Sequence, residues 1–181
     1  MGIHLTVISY PRLIHPMFEE VASAANNQSD EHKFVRCQDG NGLRLAIKNS
    51  KPRGPDERPE VSVLDLVGHG RPGYFKLGDE VLIDDGKIES DVIRELNELL
   101  PPDATVRFLG CLTGTEDTGL RMFSAVRKVL QQKIAVSTDV LHPWHFGQTG
   151  LVDTYRGLLL SSDVQEAATS LAEPPRHRQP G

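Results

Sequence analysis

Long apolar runs are missing from this chain of 181 residues. None approaches the ~18 residues a transmembrane helix needs, which sets aside the membrane-spanning classes. Excess positive charge is missing too. Lys and Arg number 20 against 25 Asp and Glu, a formal net charge of -5, so no global basic field favours nucleic acid or anionic membrane. Cysteine is scarce: two thiols, Cys37 and Cys111, do not make a disulfide-dense secreted scaffold. The amino terminus, Met1-Gly2-Ile3-His4-Leu5-Thr6-Val7-Ile8, lacks the basic stretch of a signal peptide and reads as a strand. A reducing, cytoplasmic setting is expected. Gly2 and Thr6 fit a myristoylation pattern, but the match lies inside that core strand and is taken as chance. There is no Walker A loop, no dinucleotide fingerprint and no Gly-x-Ser-x-Gly elbow. No cofactor is expected. His142-Pro143-Trp144-His145 is the one histidine cluster, and Pro143 prevents a helical i, i+3 pair. No third ligand has usable spacing, so no metal is expected either.

What is present describes one globular α/β domain. Hydrophobic residues make up 38% and charged residues 25%, enough for a real core. The expected domain spans 1–171, with a flexible tail over 172–181 where Pro, Arg, His and Gly accumulate. Strands are expected at Ile3–Ser9, Val61–Val67, Val106–Leu109 and Lys133–Thr138, with edge structure near 149–152 and 158–161. Pro16 opens a short helix to about Ala25. Phe34–Cys37 and Leu43–Ile47 flank Gln38-Asp39-Gly40-Asn41-Gly42 and read as a hairpin, with a surface loop over Lys48–Glu60. A second hairpin turns at Gly78-Asp79-Glu80. Asp91–Leu100 carries a 3.6 period, with Ser90 as its cap and Pro101-Pro102 as its stop. A helix over 116–132 turns Leu120, Phe123, Val126, Val129 and Leu130 inward. Strand–helix alternation from 61 to 138 predicts a mostly parallel sheet with helices on its faces.

Two strand ends carry the chemistry. Val61–Val67 runs into Gly68-His69-Gly70, and Thr105–Leu109 runs into Gly110-Cys111-Leu112-Thr113-Gly114. As neighbours in a parallel sheet, they bring an imidazole and a thiol to one carboxyl edge, where ligands collect in open α/β sheets. A thiol attacks a carbonyl as thiolate, so it needs a nearby base, which His69 can supply. The Gly70 amide can stabilise an oxyanion, worth ~3 kcal/mol per donor. Thr113 to Glu116 has the capping-box pattern of a helix start, although Glu116 and Asp117 disfavour a nearby thiolate.

These residues resemble the caspase-like cysteine peptidases, the group of caspases, metacaspases, legumain, gingipains and separase. A hydrophobic strand ending in His-Gly and a later one ending in Cys is their pattern. Leu64 to Gly70, then Leu77-Gly78-Asp79, then Phe108 to Gly114 is similar to the bacterial CHAT-type subgroup. The resemblance covers about residues 61 to 140. It implies a caspase-like three-layer sandwich with a mostly parallel central sheet. It implies His69 as general base and acid, Cys111 as nucleophile, and the Gly70 and Cys111 amides as oxyanion hole. It also implies a protein or peptide substrate and allows a regulatory protein partner. The Gln-Ala-Cys caspase signature is absent, since Leu109-Gly110 precedes the thiol, so neither self-cleavage nor an aspartate preference is implied.

Blander readings stand beside these. Cys111 alone would be a small buried hydrophobe; Cys37, within a strand pattern, reads as inert filler. Asp65, inside an apolar strand, faces solvent or pairs with an arginine. Glu116, Asp117 or Asp139 can hold a basic substrate side chain, or are simply helix-end and turn charges. Trp144 either lines a side-chain pocket or packs on the core. The non-enzymatic alternative is a catalytically inactive caspase-like module that binds a partner protein.

Overall fold

The computed structural model describes residues 2–12, 15–25, 29, 31–50 and 60–162. Six strands form the central sheet: β1 (Ile3–Ser9), β2 (His32–Cys37), β3 (Val61–Val67), β8 (Thr105–Leu109), β9 (Lys133–Ser137) and β12 (Leu159–Ser161). Their order is β12-β9-β8-β3-β1-β2, with β12 antiparallel to β9 and every other pair parallel. Four helices connect them: α1 (Pro16–Ala24), α2 (Gly40–Ser50), α3 (Val92–Leu99) and α4 (Glu116–Val129). Between β3 and α3 lies an antiparallel four-stranded meander: β4 (His69–Arg71), β5 (Tyr74–Leu77), β6 (Glu80–Asp84) and β7 (Lys87–Ile88). A small ribbon of β10 (Phe146–Gly147) and β11 (Gly150–Leu151) follows β9.

The order of the strands decides where the helices go. The chain steps one way across the sheet from β1 to β2, then reverses to pass β1 and reach β3, β8 and β9. Right-handed crossovers therefore put α1 on one face and α2, α3 and α4 on the other. The side chains follow with a period of two. Leu5, Val7, Leu64, Leu66, Val106 and Phe108 pack against Leu43 and Ile47 of α2, Ile93 of α3 and Phe123 of α4. Ile8, Val67 and Leu109 meet Phe18 and Val21 of α1, with Leu141, Phe146 and Leu151 of the carboxyl-terminal segment.

Toward the amino ends of the strands, the α1 face becomes polar. Asp65 and Arg107 are register partners on β3 and β8, and both are buried. Arg107 Nη2 donates to Asp65 Oδ2 at 2.6 Å, and His4 Nε2 lies 2.9 Å from the same oxygen. Burial alone would raise the Asp65 carboxyl, but the guanidinium and His4 outweigh it and hold the group at about 2. Asp65 thus pairs with an arginine rather than facing solvent. Gly150, at φ +85°, covers the network: a Cβ there would sit 2.7 Å from Asp65 Oδ2.

Several expectations change. Leu43–Ile47 is not the return strand of a hairpin but the middle of α2, and β2 pairs in parallel with β1 instead. Gly40 and Gly42 suggested a turn, yet close packing requires them. A Cβ on Gly42 would meet Cys37 Sγ at 2.8 Å, and one on Gly40 would meet the Glu80 carboxylate at 3.0 Å. Leu43, Ala46, Ile47 and Ser50 are the buried stripe of this helix. Leu120 does not face inward; it is 48% exposed, and Met122 takes the buried place beside Phe123 and Val126. At α3 the Ser90 hydroxyl accepts the Val92 N–H at 3.4 Å, as a cap does, and itself donates to Glu80, while Asp91 is the residue immediately before the helix. Residues 51–59 of the expected surface loop and the tail over 172–181 lie outside the described residues. Among the described residues no helix is long and apolar enough to cross a membrane.

Candidate active site at the carboxyl edge

Gly68 ends β3 by donating its N–H to Leu109 O at 3.2 Å, which carries the β3–β8 pairing to the last residue of both strands. The chain then turns sharply into β4. A Cβ on Gly68 would lie 2.3 Å from Lys76 O and 2.9 Å from the Phe75 ring, so only glycine fits. Two residues on, Gly70 is seated against the peptide that precedes Cys111. A Cβ there would be 2.6 Å from Gly110 C and 2.7 Å from Cys111 N. Gly110 mirrors this, with its Cβ position 2.9 Å from Gly70 Cα. The two strand ends therefore touch backbone to backbone, and His69 and Cys111 each stand one residue from the contact.

The turn that carries Cys111 is held firmly. Gly110 O accepts from the Thr113 hydroxyl at 2.8 Å and from the Ser137 hydroxyl. Leu112 N–H donates to Asp139 O at 3.0 Å, and Gly114 N–H to Ser137 O at 2.7 Å. Because a trans peptide points its C=O and N–H in opposite directions, the Cys111 N–H points away from the Thr113 and Ser137 hydroxyls that hold Gly110 O. Among the described residues no acceptor takes that N–H. Leu112 adopts φ +56°, a left-handed conformation costing about 1–2 kcal/mol for a branched side chain, immediately after the thiol. The expected capping box does not form. The Thr113 hydroxyl is spent on Gly110, and the N-cap of α4 is Thr115, without a side-chain bond to the helix.

The side chains lie in a bay beside α1. The His69 ring is half-buried and meets Phe18 at 4.7 Å and His15 at 5.1 Å between centroids, both nearly perpendicular. Burial lowers its pKa below the ordinary 6.5, and the His15 and Lys76 charges push the same way. Both effects favour the neutral imidazole, the form able to accept a proton. Cys111 packs against the Phe18 cluster, and its Sγ makes a long contact of 3.8 Å with Leu141 O. No hydrogen bond joins the sulfur to His69 among the described residues. The second thiol, Cys37, is 2% exposed; burial pushes it up to about 11, and its Sγ donates to Asp39 O at 2.9 Å.

The remaining residues singled out from the sequence divide between two sides. Asp139 and Trp144 belong to the segment after β9 that brings Leu141 to the sulfur. Asp139 is exposed, its carboxylate accepting the Val140 N–H at 2.7 Å. Trp144 is 65% exposed and stacked on His142 at 4.2 Å, in a 3-10 turn (Pro143–His145) that packs against α1. It does not pack on the core. Glu116 and Asp117 start α4, which covers the opposite face of the sheet from α1; both are exposed, and Glu116 has φ +58°. Among the described residues no group of three or more His, Cys, Asp or Glu is placed to hold a metal ion. Sequence reasoning missed His15, Phe18, Lys76 and Leu141. His15 and Phe18 had a usable signal. They follow β1, whose neighbour β3 sends its chain to the opposite face, and such a switch point opens a crevice.

Comparison with curated proteins and with solved structures finds no match. A family model described as Domain of unknown function (DUF4347) matches residues 47–163, well over half of the chain and inclusive of both strand ends. The chain belongs to this family, DUF4347.

Proposed function

We propose that this chain is a cysteine endopeptidase of caspase-like fold in which Cys111 is the nucleophile and His69 the proton carrier. The observation that carries this reading is the contact between Gly70 and the Gly110–Cys111 peptide, which brings the strand ends that bear the imidazole and the thiol together at the carboxyl edge. His69 takes the proton from Cys111 Sγ as the sulfur attacks the carbonyl carbon of a peptide bond. The carbonyl electrons move onto oxygen, where the Cys111 N–H donates to the oxyanion. Collapse expels the amine, which takes the proton back from His69, and leaves a thioester. Water then attacks the thioester, again giving its proton to His69, and frees the thiol. The reaction as written calls on no cofactor.

The resting arrangement needs one adjustment. The sulfur faces Leu141 O, and the imidazole rests edge to face on two rings, so a side-chain rotation must bring nitrogen to sulfur. Such a rotation is ordinary for apo sites, whose catalytic hydrogen bonds tighten when substrate binds. The substrate is a protein or peptide. Asp139 and Trp144 flank the sulfur's side of the bay, and Glu116 and Asp117 start the helix on the other face. We therefore place substrate side-chain contacts with the first pair.

The same missing hydrogen bond favours a second reading, an inactive module that binds a partner protein. Iodoacetamide separates the two. The peptidase predicts rapid, stoichiometric alkylation of Cys111 at neutral pH, lost in His69→Ala, and peptide hydrolysis abolished in Cys111→Ala while the fold persists. Sluggish alkylation indifferent to His69, or hydrolysis unchanged without the thiol, would refute it.

A further inference from the structure

His15 has no part in the steps above, yet among the described residues it is the one other imidazole touching His69. It closes the loop leaving β1, one residue before α1, and makes no side-chain cap bond to that helix. Its ring meets the His69 ring at 86°, 5.1 Å between centroids, and both rings meet Phe18. The groups facing His69 can be named element by element. The β1–α1 loop supplies His15, α1 supplies Phe18 and β5 supplies Lys76 directly opposite in register, while Cys111 packs on the same cluster as Phe18. Lys76 brings an ammonium group to His69, and His15 a second imidazole.

We propose that His15 is a positioning residue whose ring contact with His69 disfavours protonation of that imidazole and so keeps it able to accept a proton. A proton on His15 makes a second positive charge about 5 Å away unfavourable, so His69 resists protonation as the pH falls. The depressed pKa of His69, caused first by burial and then by His15 and Lys76, agrees with that arrangement. His15 is exposed to water, while His69 stays half-buried on Phe18. The purpose of the device rests on the peptidase reading; the interaction itself does not.

The test follows the His69 ring by NMR across pH 4.5 to 8, about two units either side of its ordinary midpoint, with His69→Ala identifying its signal among the seven histidines. The same pH series is run for iodoacetamide alkylation of Cys111. His15→Asn removes the charge, and the His69 midpoint is expected to rise by about half to one pH unit. His15→Lys fixes the charge, and the midpoint is expected to stay at or below the wild-type value. The acid limb of alkylation moves with it in each variant. Equal midpoints in wild type and His15→Asn overturn the proposal. So does a shift of His15→Asn and His15→Lys in the same direction, which would make the effect one of packing. The His69 signal reports whether or not peptides are cleaved, so loss of the peptidase reading leaves a measured shift standing.

Discussion

Adding a single methyl at Gly70 tests the geometry on which the site depends. In Gly70→Ala the new carbon would lie 2.3 Å from Thr113 Oγ1, 2.6 Å from Gly110 C and 2.7 Å from Cys111 N. The hydroxyl can swing away, at the loss of its bond to Gly110 O. The other two atoms are backbone, fixed by the bonds from Ser137 and to Asp139. Relaxed carbon contacts begin near 3.5 Å, so the strand ends must part by about 1 Å. Overpacking of this kind costs about 1–3 kcal/mol. For a chain of this size each kcal/mol lowers Tm by about 2–4 °C, so a fall of about 2–12 °C is expected. A displacement of about 1 Å between reacting groups costs about 100-fold in rate. Thermal unfolding and the alkylation rate of Cys111 at pH 7 measure the two effects. Gly157→Ala is the control, because its Cβ meets nothing within 4 Å, and both readouts should stay at wild-type values. A Gly70→Ala protein as stable as that control, with unchanged alkylation, would refute the backbone contact and the site with it.

Two further outcomes follow from buried groups. Asp65→Ala strands the Arg107 guanidinium and is expected to cost about 3–5 kcal/mol in urea unfolding, whereas Asp65→Leu with Arg107→Met together should cost far less. In the wild-type protein, folding lowers the Asp65 pKa from 3.8 to about 2. Its contribution, of order 2–3 kcal/mol, is therefore complete above pH 3.8 and is lost as the pH falls through about 2. A urea midpoint flat between pH 4 and 2, or one that rises, would contradict the ion pair. Cys37, held up to about 11, has on the order of one thiolate in ten thousand at pH 7. Native protein should thus take one equivalent of iodoacetamide, at Cys111, and a second only on denaturation; mass spectrometry of the labelled peptides reads this directly.

Local sequence determined the strands and most helices, for reasons that act over a few residues. Val61–Val67 and Thr105–Leu109 are β-branched, apolar and stopped by glycine, and they form β3 and β8 as read. The helix over 92–99 declared itself by its apolar period and its following prolines. Helix α2 did not, because Gly40 and Gly42 oppose helix by intrinsic propensity. Glu80, which leaves no room for a larger residue at Gly40, comes from β6, 40 residues further along, and cannot be read beside it in the sequence. The candidate site divides in the same way. His69 and Cys111 were legible because each follows a strand and a glycine. Only the tertiary structure decided that β3 and β8 are neighbours, that Gly70 and Gly110 serve a backbone contact, and that His15 and Phe18 from the β1 loop and α1 lean on the imidazole. Propensity is a property of adjacent residues along the chain. Which distant segments meet is set by the order of strands and the handedness of their crossovers, and that order is fixed when the whole core packs.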